Sequence, residues 1–184
     1  LFADENDLWV GTYGNGVIRM NMATGAQQVF QTDGRMVSGS NAYCIYRDRK
    51  NRLWAATMDG ANLFDEGQQK FSKIKLFKSL TIDIKEDPQG NVWFATQGGG
   101  LWRLDKNNAW KQYKHVENDS TSLVSDQVNC LVIGEKGQLY AATGEGLCEF
   151  LPSKGIFRRI SIDAPSQDFT SLVISQGVMW ISTS

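Results

Sequence analysis

The pentapeptide LWAAT at residues 53–57 is one of five similar segments spaced along the chain. Each segment has an apolar residue, an aromatic residue, two further residues and a threonine. Successive aromatic positions are 45, 39, 47 and 40 residues apart. A repeat of about 40–50 residues without a helical pattern is typical of a β-propeller, in which each repeat forms one blade. The other four segments are LWVGT at 8–12, VWFAT at 92–96, LYAAT at 139–143 and MWIST at 179–183.

We predict that the aromatic residue and the threonine of each segment are structural anchors of the blade and not ligand-binding residues. Central strands of a blade are covered on both faces, so they should be apolar without clean alternation, as WAAT and WFAT are. The β-branched threonine suits a strand and can hydrogen-bond a neighbouring blade. The anchors are Trp9, Thr12, Trp54, Thr57, Trp93, Thr96, Tyr140, Thr143, Trp180 and Thr183.

The sequence between anchors predicts four short antiparallel strands per repeat. The second strand carries the anchor, a glycine-bearing loop follows it, and the fourth strand carries an aromatic residue, as in KFSKI at 70–74. The first strand is predicted at Ala42 to Asp48, Leu80 to Glu86, Gln127 to Ile133 and Phe169 to Ser175.

A tight turn is predicted before each anchor strand. The residue three positions before the anchor is always asparagine or glycine, the two residues that adopt positive φ at the least cost. These turn residues are Asn6, Asn51, Gly90, Gly137 and Gly177.

The predicted fold class is therefore all-β, a β-propeller of four-stranded antiparallel blades. We divide the chain into a partial blade at 1–41, blades at 42–79, 80–126 and 127–168, and a partial blade at 169–184. Seven blades at this period need about 300 residues. The chain starts with leucine and shows no signal peptide. We therefore expect an arc of about four blade equivalents from a larger propeller, or a fragment that pairs with another copy.

The composition excludes several classes of protein. With 19 basic and 20 acidic residues among 184, the chain lacks the basic excess of nucleic-acid-binding domains. No apolar run approaches the roughly 20 residues needed to cross a bilayer. Cys44, Cys130 and Cys148 are too scattered for a disulfide framework or a metal site. We expect them to be small buried hydrophobic residues, and we expect neither a metal nor a cofactor.

The repeats resemble the two-component regulator propeller family. The family pattern runs hydrophobic-x-x-hydrophobic-x-x-Asp-x-x-Gly-x-Leu-Trp-hydrophobic-Gly/Ala-Thr, followed by Gly-Gly-Leu. IDIKEDPQGNVWFATQGGGLWRLD at 82–105 follows it most closely, and LWVGTYGNGVIRMN at 8–21 is next. The chain departs from the pattern at Tyr140, at Gly134 and at Ala61 with Asn62, where the family usually has tryptophan, aspartate and glycine-leucine.

Repeats of this family typically form the extracytoplasmic sensor half of hybrid two-component histidine kinases that detect breakdown products of complex polysaccharides. The resemblance implies a seven-bladed propeller and a non-catalytic ligand-sensing segment of a periplasmic sensor. It also implies an oligosaccharide ligand, self-association through the parent chain, and membrane contact only through other parts of that chain. The only histidine, His115, lies in a polar passage between blades, so this segment is not itself the kinase.

Propellers bind ligands at the axial mouth, where the loops after the second and fourth strands converge. Aromatic faces and planar polar groups hold sugars, so Tyr13 and Asn15 are the best-equipped pair. Alanine at Tyr13 is expected to weaken oligosaccharide binding by more than about 1 kcal/mol. The candidates are Tyr13, Asn15, Met58, Asp59, Gln97 and Glu145 on loops after second strands, with Arg35, Asp119 and Asp168 between blades.

The sequence leaves two questions undecided: the role of two tryptophans and the choice between a sensor and two other functional classes. Trp102 and Trp110, on outer strands, form either an exposed sugar platform or packing beside the blades. A scaffold or dimerisation propeller is one alternative function. A propeller enzyme of the lyase or glycosidase type is another, because streptogramin lyases and sialidases share the fold. DPQGNVW at 87–93 echoes a sialidase Asp box, but no threonine precedes any anchor tryptophan, and a lyase needs a histidine base.

Overall fold

The structure is a computed structural model that describes residues 1–31 and 39–184. The described residues form eighteen β-strands, β1 to β18, and no helix. The strands fall into five sheets of antiparallel strands. Two compact units are present, residues 1–84 and residues 85–184, and the boundary lies within the strand Thr81–Glu86.

Each sheet is built from strands that follow one another along the chain, so neighbours pair as hairpins. Sheet 1 contains β1 (Phe2–Ala3), β2 (Asp7–Gly11), β3 (Val17–Asn21) and β4 (Gln27–Phe30). Sheet 2 contains β5 (Ala42–Arg47), β6 (Leu53–Thr57), β7 (Gly60–Asp65) and β8 (Lys70–Lys73).

The remaining three sheets repeat the same order. Sheet 3 contains β9 (Thr81–Glu86), β10 (Val92–Thr96), β11 (Gly100–Leu104) and β12 (Trp110–Tyr113). Sheet 4 contains β13 (Val128–Ile133), β14 (Leu139–Thr143), β15 (Gly146–Leu151) and β16 (Ile156–Ile160). Sheet 5 contains β17 (Phe169–Ser175) and β18 (Val178–Thr183).

The predicted strands lie within one or two residues of the observed ones, and sheet 1 adds a strand that the sequence did not indicate. The two-residue β1 pairs with β2, with Phe2 opposite Trp9. The partial blade predicted at the start of the chain therefore holds four strands.

The predicted turn residues adopt positive φ in four of the five repeats. Asn51 has φ 62°, Gly90 81°, Gly137 82° and Gly177 74°. Asn6 does not have positive φ, so that prediction is wrong. The turn before β2 is instead organised by Asp4, whose Oδ1 accepts from the backbone N–H of Asn6 and Asp7.

Aromatic residues form the core of the first unit. Trp9 is 1% exposed, and its ring lies 5.0 Å from that of Phe64 and 5.8 Å from that of Phe30. Phe71 completes the cluster at 6.2 Å. Such aromatic contacts each stabilise by about 0.5–1.5 kcal/mol beyond the area they bury. The tryptophan of sheet 1 is thus packed by aromatics of the third and fourth strands of sheet 2.

The second unit repeats this arrangement between sheets 3 and 4. Trp93 in β10 is fully buried, and its ring lies 4.8 Å from that of Phe150 in β15. Tyr113 in β12 links sheet 3 to two strands of sheet 4, because its ring lies 5.4 Å from that of Phe150 and 5.5 Å from that of Phe157. The aromatic of each fourth strand therefore serves inter-sheet packing.

The anchor threonines cap the hairpin of their own sheet. Oγ1 of Thr57 donates to the carbonyl of Gly60 at 2.8 Å, and Oγ1 of Thr96 donates to that of Gly100 at 2.7 Å. Thr12 and Thr143 make the same bond to the corresponding glycines, and Thr183 ends β18. In these four sheets the hydroxyl therefore closes the loop after the second strand.

Two anchors and two cysteines differ from expectation. Tyr140 is half-buried, and Trp180 is 66% exposed because no third strand pairs with β18 within the described residues. Cys148 is buried as expected, whereas Cys44 and Cys130 are half-buried. Both half-buried cysteines lie on the first strand of their sheet, close to a register shift that turns this part of the strand outward.

Candidate binding surface at the loop end of the sheets

The loop after each second strand lies at the same end of the sheet as the segment before the first strand. The backbone N–H of Met58 donates to the carbonyl of Asn41 at 3.1 Å, and that of Gly144 donates to the carbonyl of Gln127 at 3.0 Å. This end is called the loop end below. The tight turns that follow the first strands lie at the opposite end, the turn end.

At the loop end of the first unit, two tyrosines lie together. Tyr13 is 83% exposed, and its ring lies edge-to-face with that of half-buried Tyr43 at 6.4 Å. Beside them, Gln31 Nε2 donates to Asn15 Oδ1 at 2.8 Å. Buried Asn41 holds the loop in place, because its Oδ1 accepts from the N–H of Gly14 at 2.9 Å. We call Tyr13, Asn15, Gln31, Asn41 and Tyr43 the tyrosine cluster.

Met58 and Asp59 lie on the corresponding loop of sheet 2, also in the first unit. Met58 is 45% exposed and Asp59 is exposed. Gly39 packs against both residues, and Asn41 joins this loop to that of Tyr13 through its side-chain and backbone oxygens. The structure therefore brings four predicted candidates, Tyr13, Asn15, Met58 and Asp59, to one loop end.

At the loop end of the second unit, amide and carboxylate side chains form a chain of hydrogen bonds. Gln97 Nε2 donates to Asn129 Oδ1 at 3.3 Å. Asn129 Nδ2 in turn donates to the carbonyl of Phe169 at 3.0 Å and to Asp168 Oδ1 at 3.4 Å. Ser184 Oγ donates to Asp168 Oδ2 at 2.9 Å. We call Gln97, Asn129, Asp168 and Ser184 the amide cluster.

Of the other predicted residues, Glu145 and Asp119 lie outside these two clusters. Glu145 is exposed on the loop of sheet 4, where Ser125 Oγ approaches its Oε1 at 3.5 Å. Asp119 lies against the outer strand β16, since its carbonyl accepts from Arg159 Nη2 at 3.0 Å. Hydrogen bonds from Thr121 lower the pKa of Asp119. Arg35 lies outside the described residues.

Tyr43 and Asn129 were not predicted from the sequence, and both occupy the second position of a first strand. The sequence carries one signal that pointed to them. Position two of the first strand is tyrosine, isoleucine, asparagine or threonine from sheet to sheet, whereas the fourth position is always isoleucine or leucine. Variation beside a constant core position is typical of a surface that varies with function.

Trp102 and Trp110 pack beside the sheet and are not an open platform. Both are half-buried, and their rings lie edge-to-face at 6.4 Å. Trp110 also lies 5.3 Å from Phe94 in the middle of sheet 3. Of the two roles that the sequence allowed for these tryptophans, packing beside the blade is therefore the one observed.

A cavity of about 450 Å³ lies at the turn end of sheets 4 and 5, away from the predicted loops. It is lined in part by Gly134, Gln138, Tyr140, Ile174 and Met179. Two of the departures from the family pattern line it, Gly134 and Tyr140, which stand where sheets 2 and 3 have aspartate and tryptophan.

Two other kinds of feature are absent from residues 1–31 and 39–184. These residues contain no group of three or more His, Cys, Asp or Glu side chains arranged to hold a metal ion. They also contain no helix that is long and apolar enough to cross a membrane.

Solved structures with the same architecture are numerous. The extracellular domain assigned to a hybrid two-component system of Bacteroides thetaiotaomicron matches 97% of this chain with a TM-score of 0.78 and 19% identity. The chain spans 25% of that domain. Virginiamycin B lyase from Staphylococcus aureus matches 98% of the chain with a TM-score of 0.73 and 14% identity, and the chain spans 61% of it.

PorZ of Porphyromonas gingivalis, described as a bacterial surface component of the type-IX secretion system, also matches. It covers 99% of the chain with a TM-score of 0.71 and 12% identity, and the chain spans 30% of it. At such identities the likeness establishes the fold, and it confirms the predicted all-β propeller class. No curated protein matches the chain.

The family comparison identifies the repeats themselves. Residues 36–59 and 77–98 match the family model described as two component regulator propeller. Each match ends on the loop just beyond an anchor strand, which is LWAAT in the first match and VWFAT in the second. The family model therefore matches the same segment that recurs along this chain. Residues 36–59 and 77–98 therefore match two-component regulator propeller repeats, within a chain that has the propeller fold.

Proposed function

We propose that this chain is part of the extracytoplasmic, ligand-sensing propeller of a two-component sensor histidine kinase. The observation that carries the proposal is the match of two of its repeats to the two-component regulator propeller model. The likeness in fold to an extracellular domain assigned to a hybrid two-component system supports it. The sensor segment is then periplasmic, self-association runs through the parent chain, and membrane contact lies in parts of that chain outside these residues.

The ligand of the proposed sensor is an oligosaccharide. The exposed ring of Tyr13 offers an apolar face, and the amides of Asn15 and Gln97 offer both donors and acceptors. Sugars need this combination because each ring has an apolar face and a rim of hydroxyl groups. Both clusters lie at loop ends, where connecting segments vary without disturbing the sheets.

The segment itself is proposed to be non-catalytic, although virginiamycin B lyase has a similar fold. A lyase of that type needs a histidine base, and His115 is poorly placed for one. Its Nδ1 lies 2.9 Å from the carbonyl of Leu123, in a bridged passage that precedes sheet 4. Neither the tyrosine cluster nor the amide cluster contains a histidine.

Isothermal titration calorimetry of the full-length protein tests the proposal. The probes are neutral cello-, xylo-, manno- and arabino-oligosaccharides, and two anionic sets, oligogalacturonates and chondroitin sulfate oligosaccharides. Saturable binding of at least one probe, without turnover detected by chromatography of the recovered sugar, is the expected result. Turnover of a bound probe would favour the enzyme alternative. The absence of binding together with concentration-dependent self-association would favour a scaffold.

A further inference from the structure

The first strands of three sheets share an irregularity at the same position. In the pairing of β5 with β6, the register shifts between Ala42 and Cys44, which leaves Tyr43 as an extra residue. The same shift leaves Asn129 unpaired in sheet 4 and Thr170 unpaired in sheet 5. A β-bulge of this kind redirects one side chain and is over-represented beside binding sites. Its recurrence places one redirected side chain at the loop end of each of these sheets.

In two of these cases the bulged residue contacts the same position of the preceding sheet. That position directly follows the anchor threonine: it is Tyr13 in sheet 1 and Gln97 in sheet 3. Tyr43 meets the ring of Tyr13 at 6.4 Å, and Asn129 accepts a hydrogen bond from Gln97 at 3.3 Å. The contact therefore repeats along the chain while its chemistry changes from aromatic to amide.

The two pairs offer different kinds of contact to a sugar. Two tyrosine rings held edge-to-face present apolar area with a hydroxyl at each tip. A glutamine and an asparagine held together present donors and acceptors for neighbouring hydroxyl groups, and Asp168 adds a carboxylate acceptor 3.4 Å from Asn129 Nδ2. That carboxylate would repel an anionic sugar.

We propose that the bulge residues Tyr43 and Asn129 contact ligand directly, Tyr43 together with Tyr13 in a subsite of the first unit and Asn129 together with Gln97 in a subsite of the second unit, and that each subsite takes a neutral oligosaccharide. This inference rests on the proposed function, because it names the contacts and the charge class of the same ligand. It adds two binding residues on the first strands, and it predicts that the protein prefers neutral over anionic sugars.

The test uses titration calorimetry on the full-length protein with the neutral and anionic probes named above. Tyr43→Ala and Asn129→Ala are compared with the wild-type protein. Asn129→Ala removes the amide without placing a second carboxylate beside Asp168, whose Oδ1 lies 3.4 Å from Nδ2 of Asn129. Tyr46→Ala is the matched control for Tyr43, since Tyr46 lies three residues further along β5, towards the turn end. Asn107→Ala is the control for Asn129, since Asn107 lies in an exposed turn of sheet 3.

The expected result is that a neutral probe binds, that anionic probes bind at least tenfold more weakly, and that each bulge variant weakens binding about tenfold. Both controls should stay within about twofold of the wild type. Circular dichroism melting curves verify that each variant is folded. If Tyr43→Ala does not fold, Tyr43→Leu replaces it, because leucine removes the aromatic ring and should likewise weaken binding about tenfold.

The experiment distinguishes failure of this inference from failure of the proposed function. Binding of a neutral probe that neither bulge variant changes would overturn this inference and leave the proposed function standing. Preference for an anionic probe would overturn the assigned charge class. If no probe binds to the wild-type protein, both the subsites and the oligosaccharide sensor are contradicted.

Discussion

The indole Nε1–H of Trp93 donates a 2.7 Å hydrogen bond to Oδ2 of Asp87, and both side chains are buried. Sheet 2 contains the same pair, with Trp54 donating to Asp48 at 2.8 Å. In sheet 3 the carboxylate also organises the turn, because its Oδ1 accepts from the backbone N–H of Asn91 at 2.9 Å. An aspartate six residues before the tryptophan therefore ties the hairpin turn to the core of the sheet.

Replacement of Asp87 by alanine should lower the free energy of unfolding by about 2–4 kcal/mol. The change leaves the Trp93 indole N–H and turn amides without their acceptor in a buried place, where each unpaired group costs roughly 1–3 kcal/mol. Urea unfolding followed by tryptophan fluorescence measures the loss. Asp105→Ala is the control, because Asp105 accepts from the amides of Asn107 and Ala109 in an exposed turn. A loss for Asp87→Ala no larger than that of the control would contradict the structural role of the pair.

Replacement of Thr96 by valine should destabilise the protein by about 1–2 kcal/mol. Its hydroxyl is buried and donates to the Gly100 carbonyl, which would lose its partner. Thr81→Val is a control of identical chemistry. Thr81 is equally buried, but within the described residues its hydroxyl has no hydrogen-bond partner. We expect the control to be neutral within about 0.5 kcal/mol or stabilising. Equal losses for both variants in urea titrations would show that the threonine bond is unimportant.

Two glycines of one loop should respond differently to alanine. Gly98 and Gly100 both have positive φ, 85° and 72°, which costs an L-residue about 1 kcal/mol. A Cβ on Gly98 would meet open space, whereas a Cβ on Gly100 would clash with the backbone carbonyl of Tyr113. We expect a loss of about 1 kcal/mol for Gly98→Ala and more than about 3 kcal/mol for Gly100→Ala, from thermal unfolding. Similar melting temperatures for the two variants would refute this packing.

The cysteines should differ in their reactivity towards alkylating agents. Burial raises the pKa of the Cys148 thiol above its ordinary value, although the Val124 amide and Arg159 act in the opposite direction. A raised pKa leaves less thiolate at any given pH, and the thiolate is the reactive form. Iodoacetamide at pH 8 should therefore label Cys148 more slowly than half-buried Cys44 and Cys130. Site-resolved mass spectrometry measures the rates, and labelling in urea should remove the difference. Fastest labelling of Cys148 in the folded protein would contradict its burial.

Most of the fold could be predicted because its information is local and repeated. The anchor segments mark the second strands, and asparagine or glycine marks the turns, as the positive φ of Asn51 and Gly90 shows. Asn6 shows the limit of this reasoning. In that repeat Asp4 lies five residues before its tryptophan instead of six, so the turn is shorter and the asparagine is not its positive-φ residue.

The candidate site could be predicted only in part. The loop residues Tyr13 and Gln97 follow directly from their position after an anchor threonine. Their partners Tyr43 and Asn129 could not be found this way, because a bulge depends on how two strands pair. The sequence marks them only through the variable second position of the first strand. The acceptor of the anchor-threonine hydroxyl was also not predicted, because it is a backbone carbonyl and carries no mark in the sequence.

The central claim is that the loop end binds the ligand. Hydrogen–deuterium exchange of the full-length protein, with and without a saturating oligosaccharide that titration calorimetry has shown to bind, tests it most directly. The account predicts slower exchange at residues 12–16, 40–43, 96–100 and 127–130, with no change around the turn-end cavity at Tyr140. Protection confined to the turn end, or no protection at any loop end, would contradict it.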